Sequence, residues 1–342
     1  MRTLPVLIFG ALEIKMTLNR RLALKSLIAI SGTFFSLRNW AQSWPDKAIK
    51  LVLGYTTGGA TDATARIIVR PLEQNLKQTV VVDYKPGAGA SIGAEFVARS
   101  APDGYTIGLT DTGPLCIMPH LRKVAYDPLT DFTPLSYVCS TGLVLIVNPA
   151  LEVKNVQELI ALAKANPGKL SYASSGVGSV HHLAGELFKA KAGVFIVHIP
   201  YRGAGPALTD LIGGQIPIMF ATIGPALPMI AAGKAKALGV TSLVRSSSLP
   251  NVPTIAEQGL KDYEAVLRFY MVGPAKMPVP VTPLYQSNLK QIILEPNVVS
   301  ELKKLGNDDI VPKTPAEIQS MIQADYRKWG AVIKEAKITL DS

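Results

Sequence analysis

A short apolar run, a turn of glycine and hydroxyl residues, and the start of a helix recur three times in this chain. That unit limits the folds open to it. The first copy is AIKLVLG followed by YTTGGATDATAR at residues 48–66. In the second, LSYA leads into SSGVGSVHHL at 170–183, and in the third VFIVHI leads into PYRGAGP at 194–206. Strands alternating with helices predict parallel α/β layers.

The rest of the chain extends the pattern. Residues 62–78 have helical spacing, with Ala65, Ile68, Leu72 and Leu76 on one face and Pro71 placed to kink or split the helix. A strand at 80–83, a Lys-Pro-Gly turn, a helix at 92–100 and a strand at 106–110 follow. A second set of units is expected from residue 143. It has strands at 143–148, 170–173, 194–199, 216–221 and 237–241, and helices at 156–165, 181–191 and 207–212. A strand at 265–272 precedes helices at 281–295, 298–305 and 315–337. The tail helices need a partner, and the first α/β unit is the natural one. The expected organisation is a discontinuous domain, 44–142 plus 265–342, around an inserted domain, 143–264. Two crossings between them would form a hinge.

The first 41 residues read differently. NRRLALKSLIAISGTFFSLRNWAQS has a basic start, a short apolar stretch and small residues near Ala41, the layout of an export signal of the general secretory or twin-arginine kind. Met16 is an alternative start, and an N-terminal membrane anchor is the competing reading. No later run reaches the roughly 18 apolar residues a span requires. Setting the segment aside removes six basic residues and one acidic one, leaving 29 and 24, so the formal charge falls from +10 to about +5. That balance suits an anion-handling protein and makes no case for nucleic acid, since no basic stripe with interleaved aromatics is present. With 48% hydrophobic and 18% charged residues, the chain is not a disordered one. Cys116 and Cys139 are compatible with a disulfide or with two buried thiols.

The three turns share one chemistry. At a helix start the first backbone N–H groups lack partners and the helix dipole adds positive potential. In open α/β sheets the ligand crevice lies at the carboxyl ends of the strands, where these turns fall. Tyr55, Thr56, Thr57, Gly58 and Gly59 form the first candidate loop. Ser174, Ser175, Gly176 and Ser179 form the second, and Tyr201 and Arg202 the third. Hydroxyl and amide donors suit a carboxylate: four to six hydrogen bonds of roughly 1.5–3 kcal/mol each cover the ~8 kcal/mol of a micromolar complex after desolvation and ordering.

Several residues have a plainer role available. Asp62 is expected to cap its helix rather than touch an anion. Arg202 pairs either with a ligand carboxylate or with Asp210. His181 and His182 are adjacent, face different sides of a helix and suit core or capping roles better than a metal. Gly87 to Gly93 misses a dinucleotide fingerprint by one position and reads as a turn. There is no Gly-x-Ser-x-Gly elbow, Walker loop or His-Glu-x-x-His, so neither an enzyme nor a cofactor is expected.

Taken in order, WPDKAIKLVLGYTTGGATDATAR, VVVDYKPGAGASIGAEFVARSAPDGYT, YDPLTDFTPLS, ANPGKLSYASSGVGSVHHLAGELF, HIPYRGAGPALTDLIGGQI and LPNVPTIAEQGL resemble the periplasmic receptors of tripartite tricarboxylate transporters, the Bug-type solute-binding proteins. The resemblance runs from about residue 44 to 337. It implies a type II periplasmic-binding-protein fold, two α/β domains joined by a hinge with the ligand cleft between them. It further implies a monomeric receptor for a small organic carboxylate, held by the loops at 55–62 and 174–179, partly through ordered water. Membrane transporter subunits are the implied partners; a sensor subunit feeding a two-component kinase is the alternative. The chain departs from the family pattern where Ala221-Thr222 replaces a commonly acidic position. It departs again at Asp83-Tyr84-Lys85, and at Arg268-Phe269 where a tryptophan is common. Loss of an acid and gain of Arg268 favour a dicarboxylate or aromatic acid over an amino acid.

Overall fold

The computed structural model describes residues 44–201 and 203–340. The export-signal reading and Arg202 therefore lie outside the described residues. From Lys47 onward the chain forms one compact unit built on a mixed sheet.

Ten strands make that sheet: β1 (Ile49–Leu53), β2 (Val80–Tyr84), β3 (Thr106–Asp111), β4 (Phe132–Val147), β5 (Ser171–Ser174), β6 (Val197–Pro200), β7 (Ile218–Thr222), β8 (Lys236–Val240), β9 (Val266–Pro274) and β10 (Asn307–Asp309). The spatial order is β2-β1-β3-β9-β4-β7-β5-β6, with β8 and β10 also paired to β4. Nine helices of eight residues or more cover it among the described residues: α1 (Ala60–Leu76), α2 (Ser91–Ala98), α3 (Val156–Ala165), α4 (Val180–Ala192), α5 (Ala204–Ile212), α6 (Ile223–Ala231), α7 (Val281–Leu294), α8 (Pro296–Lys304) and α9 (Pro315–Glu335).

Local chemistry accounts for many boundaries. Helix α3 starts where Asn155 accepts the Glu158 N–H at 2.9 Å. In α9, Thr314 and Glu317 form a reciprocal capping box. Helix α4 stops at Gly193, which adopts φ +61° and closes the last turn. Of the kink or split expected at Pro71, the split does not occur: helix α1 continues through it. Ala65, Ile68, Leu72 and Leu76 are buried along one face, and that burial outweighs the hydrogen bond Pro71 cannot donate.

The sheet corrects the sequence reading in two respects. It is mixed rather than parallel, because β9 runs antiparallel to both β3 and β4, and β4 antiparallel to β7 and β8. In addition, β4 begins at Phe132 rather than 143. Its 16 residues pair with β9 as far as Gly142, with β7 from Leu143 and with β8 from Val144. The polar, small stretch Ser140-Thr141-Gly142 lies before the expected strand start at 143, yet β9 and β10 pair along it. Helix α6 was also not anticipated, since Pro225 and Pro228 obscure its period. Both cysteines are free, buried thiols.

This topology makes strand ends converge. β3 ends at Asp111, opposite Phe269, which lies opposite Cys139 of β4. β7 arrives from the other direction and ends at Thr222, opposite Leu143. Between Cys139 and Leu143 lie four steps of extended chain, about 13 Å. The carboxyl ends of β1 and β3 therefore approach those of β5 and β7 across the middle of β4. Thr241 laces this crossing. Its hydroxyl accepts the Leu143 N–H at 2.7 Å and donates to the Ala265 carbonyl at 2.5 Å, and its backbone bonds the same two residues.

Candidate functional site

The loop after β1 holds Thr56, Thr57, Gly58 and Gly59, all exposed, and opens α1 without a side-chain cap at Gly59. Gly58 takes φ +83°, a left-handed turn that brings its N–H back onto the Asp62 carboxylate at 2.8 Å. Asp62 also accepts from Tyr84 at 2.7 Å and from Arg66 at 3.1 Å. Burial opposes its charge, but these hydrogen bonds outweigh it and hold the carboxyl below its ordinary value. Asp62 thus shapes the loop from behind. Its carboxylate reaches one residue beyond the N-cap, to Gly58.

Tyr55 donates its hydroxyl to Asp111 at 3.0 Å. Asp111 is buried and takes further hydrogen bonds from the Gly113 N–H at 2.8 Å and the Thr61 hydroxyl at 3.4 Å. Burial pushes its pKa up to about 6 in spite of those donors. The Tyr55 proton is spent on Asp111, which leaves its hydroxyl oxygen free only to accept. Asp111 was not singled out from the sequence, although it ends a strand at the level of the candidate loops.

The second loop is pinned by three imidazoles. Ser174 is fully buried, with its hydroxyl 2.6 Å from His198 Nε2. Ser175 Oγ lies 2.8 Å from His181 Nδ1. His182 Nδ1 accepts the Gly178 N–H at 3.2 Å, and its ring stacks on His198 with centroids 3.8 Å apart. Ser179 caps α4 by accepting the His182 N–H, and donates its own proton to the Gly176 carbonyl at 2.7 Å. Gly176 adopts φ +131°, which lets the loop double back. Burial lowers all three histidines, His181 and His182 to about 4 and His198 to about 3; charge from Lys189 adds to the effect at His182, and His182 with Lys189 at His198. They are neutral at pH 7.

Tyr201 is tied into this loop through its N–H to the Ser174 carbonyl at 3.1 Å. Its hydroxyl donates to Asp210 at 2.9 Å, so Asp210, named from the sequence as a partner for Arg202, is engaged by Tyr201. Thr222, at the end of β7, completes the group with Oγ1 2.9 Å from His181 Nε2.

Arg268 is built into the fold. Nη1 lies 2.6 Å from Asp325 and Nη2 3.2 Å from Glu264, and the guanidinium is largely buried. Lys328 also pairs with Glu264, at 3.2 Å. The fold matches the charge of Arg268 internally, and the reading of it as a free cation for a ligand anion has no support in this geometry.

The loops 55–59 and 174–179 both lie at converging strand ends; the Gly58, Gly176 and Gly178 N–H groups and the Ser179 hydroxyl bond within them, while Thr56, Thr57 and Gly59 of the first loop are exposed. Such a surface suits a small anion. A protein-family model described as "Tripartite tricarboxylate transporter family receptor" matches residues 64–338. The chain is 33% identical to BugT of Bordetella pertussis over 316 residues, covering 90% of this chain and 97% of that one. It resembles the structure of R. palustris Rpa4515 with adipate at a TM-score of 0.79 and 32% identity, covering 86% and 99% of the two chains. MatC from Rhodopseudomonas palustris with bound malate superposes at 0.75 with 27% identity, covering 85% of this chain and 100% of the other.

Proposed function

This chain belongs to the tripartite tricarboxylate transporter receptor family, and from that membership we propose that it is an exported, periplasmic receptor for a small organic carboxylate. The ligand lies where the carboxyl ends of β1 and β3 meet those of β5 and β7, and that convergence is the observation that carries the reading. One carboxylate is held by amides and hydroxyls of residues 55–59 on one side and 174–179 on the other. The segments 44–142 plus 265–342 and 143–264 act as two lobes, moving about the crossing laced by Thr241. Ligand contacts that bridge the lobes differ between open and closed states, so they alone shift the equilibrium towards closure. The closed form then docks on membrane transporter subunits. Adipate and malate, held by two relatives, make dicarboxylates the first class to try.

Calorimetric titration of the purified protein with succinate, malate, adipate, benzoate and aspartate tests this. Binding of at least one of the non-amino acids, tighter than aspartate, is expected; no heat from any acid would sink the proposal. A Gly59→Leu variant should fold, because a Cβ there meets only the Thr56 carbonyl at 3.9 Å. It and Ser175→Leu should each weaken binding at least tenfold. Unchanged affinity in both would remove the two-loop clamp.

A further inference from the structure

His181 sits between two hydroxyls that end neighbouring strands. Nδ1 faces Ser175 Oγ at 2.8 Å and Nε2 faces Thr222 Oγ1 at 2.9 Å. β5 and β7 are parallel neighbours, with Ala173 opposite Met219, so Ser175 and Thr222 emerge at nearly the same level of the sheet edge. Among the described residues neither hydroxyl has a second hydrogen-bond partner. Thr222 is moreover the N-cap residue of α6, yet its side chain makes no cap bond. It forgoes the usual role of a threonine at that position and turns to the imidazole instead.

A ring with one N–H and one bare nitrogen can serve two hydroxyls in one way only. One hydroxyl donates to the bare nitrogen, and its proton is spent. The other accepts from the N–H and keeps its own proton free. We propose that His181 is a positioning residue of the ligand site, locking Ser175 and Thr222 so that one hydroxyl proton is always held ready for an incoming carboxylate. The inference rests on the receptor reading for what arrives there; the lock itself is a property of the protein alone.

Spectra of the full chain carrying 15N-histidine test the lock without ligand. At pH 7 His181 should show one protonated and one bare ring nitrogen, a single tautomer. Both nitrogens protonated, or two tautomers equally populated, would overturn the inference. Titration with succinate, malate, adipate and benzoate should then shift the His181 nitrogens. His181→Phe should weaken the acid that binds best by roughly 10- to 100-fold, the loss of one hydrogen bond to a charged group. His181→Gln, whose amide keeps a donor and an acceptor, should lose less. Equal affinity for His181→Phe and the unmodified protein would overturn the inference and leave the receptor reading standing. If the unmodified protein binds none of the four acids, the receptor reading fails, while the ring spectra still decide whether the lock exists. Should His181→Phe not fold, His181→Gln and the spectra remain decisive.

Discussion

The Arg268 guanidinium meets the Asp325 carboxylate at 2.6 Å inside the protein, joining β9 to α9. Glu264, just before β9, holds the other side of the same guanidinium. Removing one member of a buried pair leaves an uncompensated charge, whereas replacing both by apolar groups does not. Arg268→Met is therefore expected to cost about 3–5 kcal/mol, and Arg268→Met with Asp325→Leu to recover most of it. Urea unfolding of the two variants checks this. A single substitution as stable as the unmodified protein would mean that the pair is not the anchor it resembles.

Acid should weaken the fold through the three imidazoles. His181, His182 and His198 have folded pKa values of about 4, 4 and 3, below the ordinary 6.5. Between those values the unfolded chain binds protons that the native state refuses, so the native state loses stability as pH falls below 6.5. The loss is on the order of 1 kcal/mol per imidazole for each pH unit. Denaturant midpoints at pH 7.5 and 5 measure it, and His182→Gln combined with His198→Gln should flatten the difference.

Asp111 acts in the opposite sense. Burial raises its pKa from 3.8 to about 6, so the stability it contributes is present in acid and lost as pH rises through 6. Asp111→Asn removes that term. The variant should gain relative to the unmodified protein on going from pH 5 to 7.5, and the Tyr55 ring should loosen. A pH series of unfolding free energies for both proteins would show a difference independent of pH if this assignment is wrong.

The hydroxyl of Thr241 holds three passes of the chain at the crossing. Thr241→Val keeps the shape, but leaves the Leu143 N–H and the Ala265 carbonyl without it. The expected cost is about 1–3 kcal/mol, with faster hydrogen exchange at the Leu143 amide. Thr241→Ser should behave like the unmodified protein. Equal exchange rates in the valine variant would show that the backbone bonds alone suffice.

Much of the local structure was legible in the residues. Helix α3 has the limits expected of it, 156–165; Asn155 caps its start, and Asn166-Pro167-Gly168 does not continue it. The three strand-turn-helix units fell where their apolar runs and glycines put them. These features depend on interactions a few residues long, which the sequence states directly. The early part of β4 was not legible, since Ser136, Ser140, Thr141 and Gly142 carry no alternation. Their extended form comes from backbone partners on β9 and β10, more than 100 residues away.

The same division runs through the candidate site. The amides and hydroxyls of the loops at 55–59 and 174–179 are set by local turn chemistry, and so is the kind of ligand they suit. What each charged or titratable side chain does was decided only when distant residues met. Arg268 found Asp325, Tyr55 found Asp111, and His181 found Thr222. Burial and partner together fix the charge and the free protons of such a group, and both are properties of the packed chain rather than of any segment of it.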